Sequence, residues 1–208
     1  KLKENNKNSI LNDLDKIVIE AHNSIKQGVT LDENNFSFSQ NGKVQTEFYK
    51  KKHNNNNDKF LASIISLCGT FMGDGVGKIY KSKIITNKNF INKIKHAKKQ
   101  KEYYSNTRLF NTDYINIIKK FDNKNSFFYL DPPYENSVGI YNNNTIDLEF
   151  LSELLSNLKG RFLLSLNDSP NIRKIFKKFK IISINVPISN THNKKDILNR
   201  QELIIKNY

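Results

Sequence analysis

The run Phe127-Phe128-Tyr129-Leu130-Asp131-Pro132-Pro133-Tyr134 decides how the rest of the chain is read. Four apolar or aromatic residues followed by an acid and two prolines predict a short buried strand that stops at Asp131, because proline has no N–H to give to a ladder. A carboxylate just past the carboxyl end of such a strand stands where open α/β sheets bind ligands. Asp131 and the carbonyl of Pro132 are both acceptors, and the fixed φ of Pro132 and Pro133 holds them in place without a competing backbone donor. Two acceptors side by side suit an exocyclic amine: by taking its two N–H hydrogens they draw the nitrogen lone pair out of conjugation. Tyr134 adds a flat ring on which a base swung out of its duplex could stack.

Working outward, the chain alternates strand-like and helix-like patterns, which predicts an α/β fold. Asp15 to Gln27 carries Ile17, Val18, Ala21 and Ile25 at helical spacing and is closed by Gly28. Thr30 to Asp58 is polar, ends in His53-Asn54-Asn55-Asn56-Asn57-Asp58, and reads as a loop by composition. Phe60 to Leu67 reads as a buried helix, residues 86–99 and Tyr114 to Lys120 as helices, and Asp147 to Asn157 as a helix with Phe150, Leu151, Leu154 and Leu155 on one face. Arg161 to Leu166 returns as a strand, Ile172 to Phe179 is a basic helix, and Ile181 to Val186 with Leu203 to Ile205 is expected to close the sheet as an antiparallel pair. Glu135 to Asn144 and Ser189 to Asn199 are polar loops.

Asp-Pro-Pro-Tyr after an apolar strand resembles the S-adenosylmethionine-dependent adenine-N6 DNA methyltransferases, in particular the Dam-type (alpha) group. In that group the cofactor segment comes first, then a target-recognition segment, then the catalytic tetrapeptide. Ile10-Leu11-Asn12-Asp13-Leu14-Asp15 resembles the family's second strand, whose acid holds the ribose hydroxyls of the cofactor; Asp13 takes that position. Asn106 to Tyr114 resembles the segment whose acid–aromatic pair, here Asp113-Tyr114, lies near the cofactor's adenine ring. Glu202-Leu203-Ile204-Ile205-Lys206-Asn207-Tyr208 looks like the closing strand. The resemblance therefore implies a Rossmann-like methyltransferase sheet with helices on both faces. Residues 1–29 would belong to its cofactor-binding half, 30–105 would be an inserted helical and loop segment that recognises DNA, and 106–208 would be its catalytic half. It also implies a site-specific enzyme of the kind found in restriction–modification systems, with S-adenosylmethionine as methyl donor, Asp131, Pro132, Pro133 and Tyr134 at the target adenine, Asp131 also beside the cofactor, and no metal.

The family's Phe-x-Gly-x-Gly turn precedes the ribose-binding acid, whereas only twelve residues precede Asp13. The chain is therefore expected to begin after the first strand and its glycine loop, the cofactor site being completed by a preceding segment or a partner chain. Phe71-Met72-Gly73-Asp74-Gly75-Val76-Gly77 fits the glycine pattern literally but follows Asp13, and no acid lies between Lys78 and Lys101 to take a ribose. It is read instead as a turn facing DNA. Two alternatives stay open: a DNA-binding but catalytically incomplete chain, and a methyltransferase for an amine in RNA or protein.

Composition narrows the partners. The chain has 208 residues and a net charge of +14, from 34 basic and 20 acidic side chains. That field suits a polyanion such as double-stranded DNA. Lys78, Lys81, Lys83, Lys88, Lys93, Lys95, Lys98, Lys99 and Lys101 fall in one acid-free stretch with Tyr80, Phe90, Tyr103 and Tyr104 among them. Lys93, Lys95, Lys98 and Lys99 are the expected phosphate contacts. No apolar run reaches membrane-spanning length, and the first residues lack the apolar core of a signal peptide. A location in the cytoplasm, or wherever the target DNA is held, is expected. The single cysteine, Cys68, excludes an internal disulfide and reads as a small buried hydrophobe, and the four histidines show no metal-ligand spacing.

Overall fold

In the computed structural model, residues 9–69, 79, 84–133, 146–187 and 199–208 are described. Seven helices and six strands lie among them, divided into two compact units, residues 1–117 and 118–208.

The first unit opens on β1 (Ser9–Asn12), which pairs in parallel with β2 (Thr107–Phe110), Asn12 standing opposite Phe110. Parallel pairing requires a long crossover, and the helices between the two strands provide it. α1 (Lys16–Gln27) begins where the Asp15 carboxylate accepts the backbone N–H of Ile17 at 2.8 Å, and ends at Gly28, whose φ of 98° only glycine adopts without strain.

The polar stretch after α1 is not all loop. It contains α2 (Gly42–Lys50), capped by Asn41, whose side chain accepts from the N–H groups of Lys43 and Val44. Composition hid this helix because its inward residue is a glutamine. Gln45 is fully buried, donates to the carbonyls of Ser39 and Ile85 at 2.9 and 2.8 Å, and accepts from the Ile85 N–H at 3.1 Å. α3 (Asn56–Gly69) and α4 (Asn87–Tyr104) are the expected helices, α3 running past both of its expected ends and α4 running five residues past its expected C-terminal end. Phe60, Leu61, Ile64 and Ile65 of α3 meet Phe90, Ile94 and Ala97 of α4, with Val29, Ile79 and Ile85 completing the core. Phe36 and Phe38 pack their rings on Phe90.

α5 (Tyr114–Phe121) leads into the second unit, a four-stranded sheet in the order β3-β4-β6-β5. β3 (Phe127–Leu130) is parallel to β4 (Arg161–Asn167), while β6 (Asn199–Lys206) runs antiparallel to both β4 and β5 (Lys180–Pro187), which gives the expected closing pair. Strand alternation sorts the side chains. Phe162, Leu164, Leu166, Leu203 and Ile205 share one fully buried face, as do residues of the amphipathic α6 (Leu148–Ser156) and the short α7 (Pro170–Ile175), namely Leu151, Leu155 and Ile172. α7 ends sooner than its basic periodicity predicts; it starts at Pro170 behind a Ser169 cap that accepts from Ile172 N–H at 3.1 Å.

A close approach fixes the start of β3. A side chain at Gly160 would come within 2.8 Å of the Ser126 carbonyl and 2.9 Å of the Asn123 carbonyl, so only glycine lets these turns meet. Asp122 accepts from the N–H groups of Lys159 and Gly160 across the same junction, and this sets the register of β3 on β4.

Candidate functional site

β3 delivers Asp131 to its carboxyl end. Leu130 pairs with Leu164, and Asp131, Pro132 and Pro133 follow outside the ladder, as a proline pair requires. Asp131 keeps solvent access while Pro132 and Pro133 are half-buried. By strand alternation Asp131 shares the face of Tyr129 and Phe127, which are 63% and 56% exposed, rather than the packed face of Phe128 and Leu130. Partial burial raises the Asp131 carboxyl above the ordinary carboxylate range, and the nearby negative charge of Glu202 raises it further. Tyr129 is likewise raised, by burial first and then by the charges of Asp131 and Glu202. Tyr134 lies outside the described residues.

Asp13 and the Asp113-Tyr114 pair follow β1 and β2, so they come together at the carboxyl end of the parallel pair. Side-chain amides lock the two strand ends together. Asn12 donates to the Thr112 carbonyl at 2.9 Å and accepts from the Thr112 N–H at 3.2 Å, while Asn111 donates to the carbonyls of Asp13 and Leu14 at 3.0 and 2.8 Å. Oδ1 of Asp13 accepts from the Asp15 N–H at 2.7 Å. Burial raises the Asp13 carboxyl, against the lowering effect of that hydrogen bond. Asp113 is exposed, and its Oδ1 accepts from the Ile115 N–H at 2.7 Å, which caps the first turn of α5. Tyr114 is half-buried.

Of the basic stretch, Lys78, Lys81, Lys83 and Tyr80 lie outside the described residues, as does Gly73 to Gly77. Lys93, Lys95, Lys98 and Lys99 are all exposed on α4. At 100° per residue, Lys95 and Lys99 lie opposite the stripe of Phe90, Ile94 and Ala97, whereas Lys93 and Lys98 flank it. Lys98 forms an ion pair with Glu33. The aromatics do not interleave with these lysines as expected. Phe90 is fully buried in the core, and the Tyr104 hydroxyl is half-buried and bonded to Nδ1 of His22 at 2.7 Å; Tyr103 is exposed. Helical periodicity explains this, since residue 90 falls on the same stripe as 94 and 97. Cys68 is exposed at the last turn of α3, not buried, where it lines a cavity with Ile64, Ile84, Ile85, Asn89, Asn92 and Lys93.

Two residues, one beside the candidates of each unit, were not singled out from the sequence. Glu202 is only 7% exposed and bonds to Arg200; a lone acid in the run Glu202 to Ile205 was the available signal. His22 sits between Tyr104 and the charge of Asp13, its imidazole lowered mainly by burial; no local pattern marked it. Among the described residues no group of His, Cys, Asp and Glu could hold a metal ion, and no helix is long and apolar enough to cross a membrane.

The model of one protein family, described as D12 class N6 adenine-specific DNA methyltransferase, matches residues 1–189. No curated protein matches the chain.

Proposed function

The chain belongs to the D12 class of N6 adenine-specific DNA methyltransferases, and from that premise we propose a Dam-type enzyme that methylates adenine at a specific DNA site through an extruded base held at Asp131-Pro132-Pro133-Tyr134. Membership implies S-adenosylmethionine as donor and DNA as substrate. The observation that carries the reading is the Asp131 carboxyl, open to solvent directly past the end of β3.

In this reading the Asp131 carboxylate accepts one N6 hydrogen and the Pro132 carbonyl the other, so that the lone pair turns out of the ring plane toward the methyl. The ring of Tyr134 stacks on the base. The donor supplies an electrophilic methyl on a sulfonium. Asp13 is the acceptor for its ribose hydroxyls: one oxygen is held by Asp15 and the other suits a diol. Asp113 and Tyr114, at the same end of the β1–β2 pair, would border its adenine ring. Orientation of the lone pair and proximity of the methyl provide the rate, with no metal required. A Rossmann-like sheet and a target-recognition role for residues 30–105 belong to the same proposal, which the parallel pairings and the helical character of that segment support.

The test is direct. The chain, incubated with S-adenosylmethionine and adenine-bearing duplexes, is expected to yield N6-methyladenine on mass spectrometry of the digested nucleosides. Methylation confined to cytosine, or to RNA, would overturn the reading.

The basic face of α4 carries a second expectation. Because Lys98 is paired with Glu33 and Lys93 flanks the buried stripe, Lys95 and Lys99 are the α4 lysines of the four that face directly away from the core. Changing both to Gln should weaken binding to every duplex alike and lower the slope of log affinity against log salt by about 2. An unchanged slope would remove these lysines from the interface.

A further inference from the structure

One buried charge of the second unit has no part in the scheme above. Glu202 stands in β6 opposite Asn167 of β4 and Ile184 of β5, and alternation puts it on the same sheet face as Tyr129 and Asp131. Ser165, on that face too, is buried with it. A carboxylate at 7% exposure is costly unless it is paired, and Arg200, two residues along the same strand, bonds to it. An apolar side chain here would have cost the fold less.

We infer that Glu202 is a positioning residue for the methyl transfer: a second carboxylate on the Asp131 face of the sheet, acting through Asp131 to favour positive charge on the target amine. The inference rests on the assignment of Asp131 to that amine. In the transfer the amine lone pair forms the N–C bond as the donor's S–C bond breaks and leaves its electron pair on sulfur. The amine thereby becomes a cation, and it regains neutrality by losing a proton. Two neighbouring carboxylates favour the cation, and Asp131, whose carboxyl holds a proton more readily beside Glu202, receives that proton and passes it to solvent. Arg200, paired with Glu202, moderates its field.

Among the described residues, the titratable and charged groups on this face are few. Tyr129 lies on β3, and Glu202 and Arg200 on β6. Arg161, Lys206 and Lys180 sit at the opposite end of the strands, by the register Phe127↔Arg161 and Lys180↔Lys206. Asp168, just past β4, is held by Arg173 through two bonds of 2.7 Å.

The experiment is a carbon-detected NMR titration of the Asp131 carboxyl in the full chain, run beside the methylation assay. Glu202→Gln is expected to lower the Asp131 midpoint by about 0.5–1 pH unit. It should also move the acid limb of kcat to lower pH and reduce kcat at neutral pH by about 10-fold, with KM for DNA unchanged. Arg200→Gln leaves Glu202 in place and should raise the midpoint, which keeps the test available if Glu202→Gln fails to fold. An Asp131 midpoint that neither variant moves overturns the inference, and so does a shifted midpoint with unaltered kcat. Failure of the underlying reading looks different: the unmodified chain would make no N6-methyladenine at all.

Discussion

Asp131→Ala is expected to lower kcat for adenine methylation by about 10²–10³-fold, the usual loss when one positioned group that meets developing charge is removed. In the proposed mechanism the carboxylate does two things that alanine cannot. It holds one N6 hydrogen so that the lone pair faces the methyl, and it offsets the positive charge that arrives with the methyl. Binding of the duplex should stay nearly intact, because the carboxylate is assigned to a single hydrogen of the target amine and not to the phosphates that supply most of the affinity. The sign of the stability effect provides an independent check. The Asp131 carboxyl is raised by burial and by Glu202, so the folded state holds its proton over a pH range where the unfolded chain has released it. Stability therefore falls as pH rises from the ordinary carboxylate value through the raised one, and the ionised group remains a burden above that window. Asp131→Asn should accordingly melt at or above the temperature of the unmodified protein at neutral pH while losing activity. A variant that lost activity, duplex binding and thermal stability together would instead mark Asp131 as structural.

The parts of the site legible in the sequence are those set by local rules. An apolar run stopped by a proline pair reads as a strand end, and β3 ends at Leu130 with Asp131 outside the ladder, although the strand is not buried as expected: Phe127 and Tyr129 are exposed on its second face. Asp15 and Gly28 bound α1 through cap chemistry that involves a few neighbouring residues. What escaped depends on partners far along the chain. Glu202 acquires meaning only when β6 inserts between β4 and β5 and its alternation matches that of β3. His22 and Tyr104 lie 82 residues apart and meet because α1 and α4 pack together. Phe90 looked like a surface ring among lysines because a run of charges hides a stripe only three residues wide per two turns; its burial with Ile94 and Ala97 turns one face of α4 inward and leaves the lysines on the other.

Gln45→Ala is expected to destabilise the first unit by about 4 kcal/mol, the second large effect, and it follows from the residue that concealed α2. Gln45 is fully buried and its amide satisfies three backbone groups, the carbonyls of Ser39 and Ile85 and the Ile85 N–H. Removing it leaves the Ile85 carbonyl and N–H unpaired in a buried position, at about 1–3 kcal/mol for each, while the Ser39 carbonyl, on an exposed residue, can turn to water. Gln45→Leu should lose nearly as much, because it restores volume but not the bonds; a purely volumetric role would make leucine neutral. Glu47→Ala, on the exposed side of the same helix, should change stability by less than about 0.5 kcal/mol. Urea unfolding of the three variants separates these outcomes. The consequence reaches function, because Gln45 ties α2 to Ile85, which immediately precedes the Thr86 cap of α4. If α4 carries phosphate contacts, Gln45→Ala should also weaken duplex binding as the first unit loosens, raising KM for DNA. Equal stability of Gln45→Ala and the unmodified chain would show that water replaces the amide, and would leave α2 held by its apolar contacts, such as Phe48 against Phe38, alone.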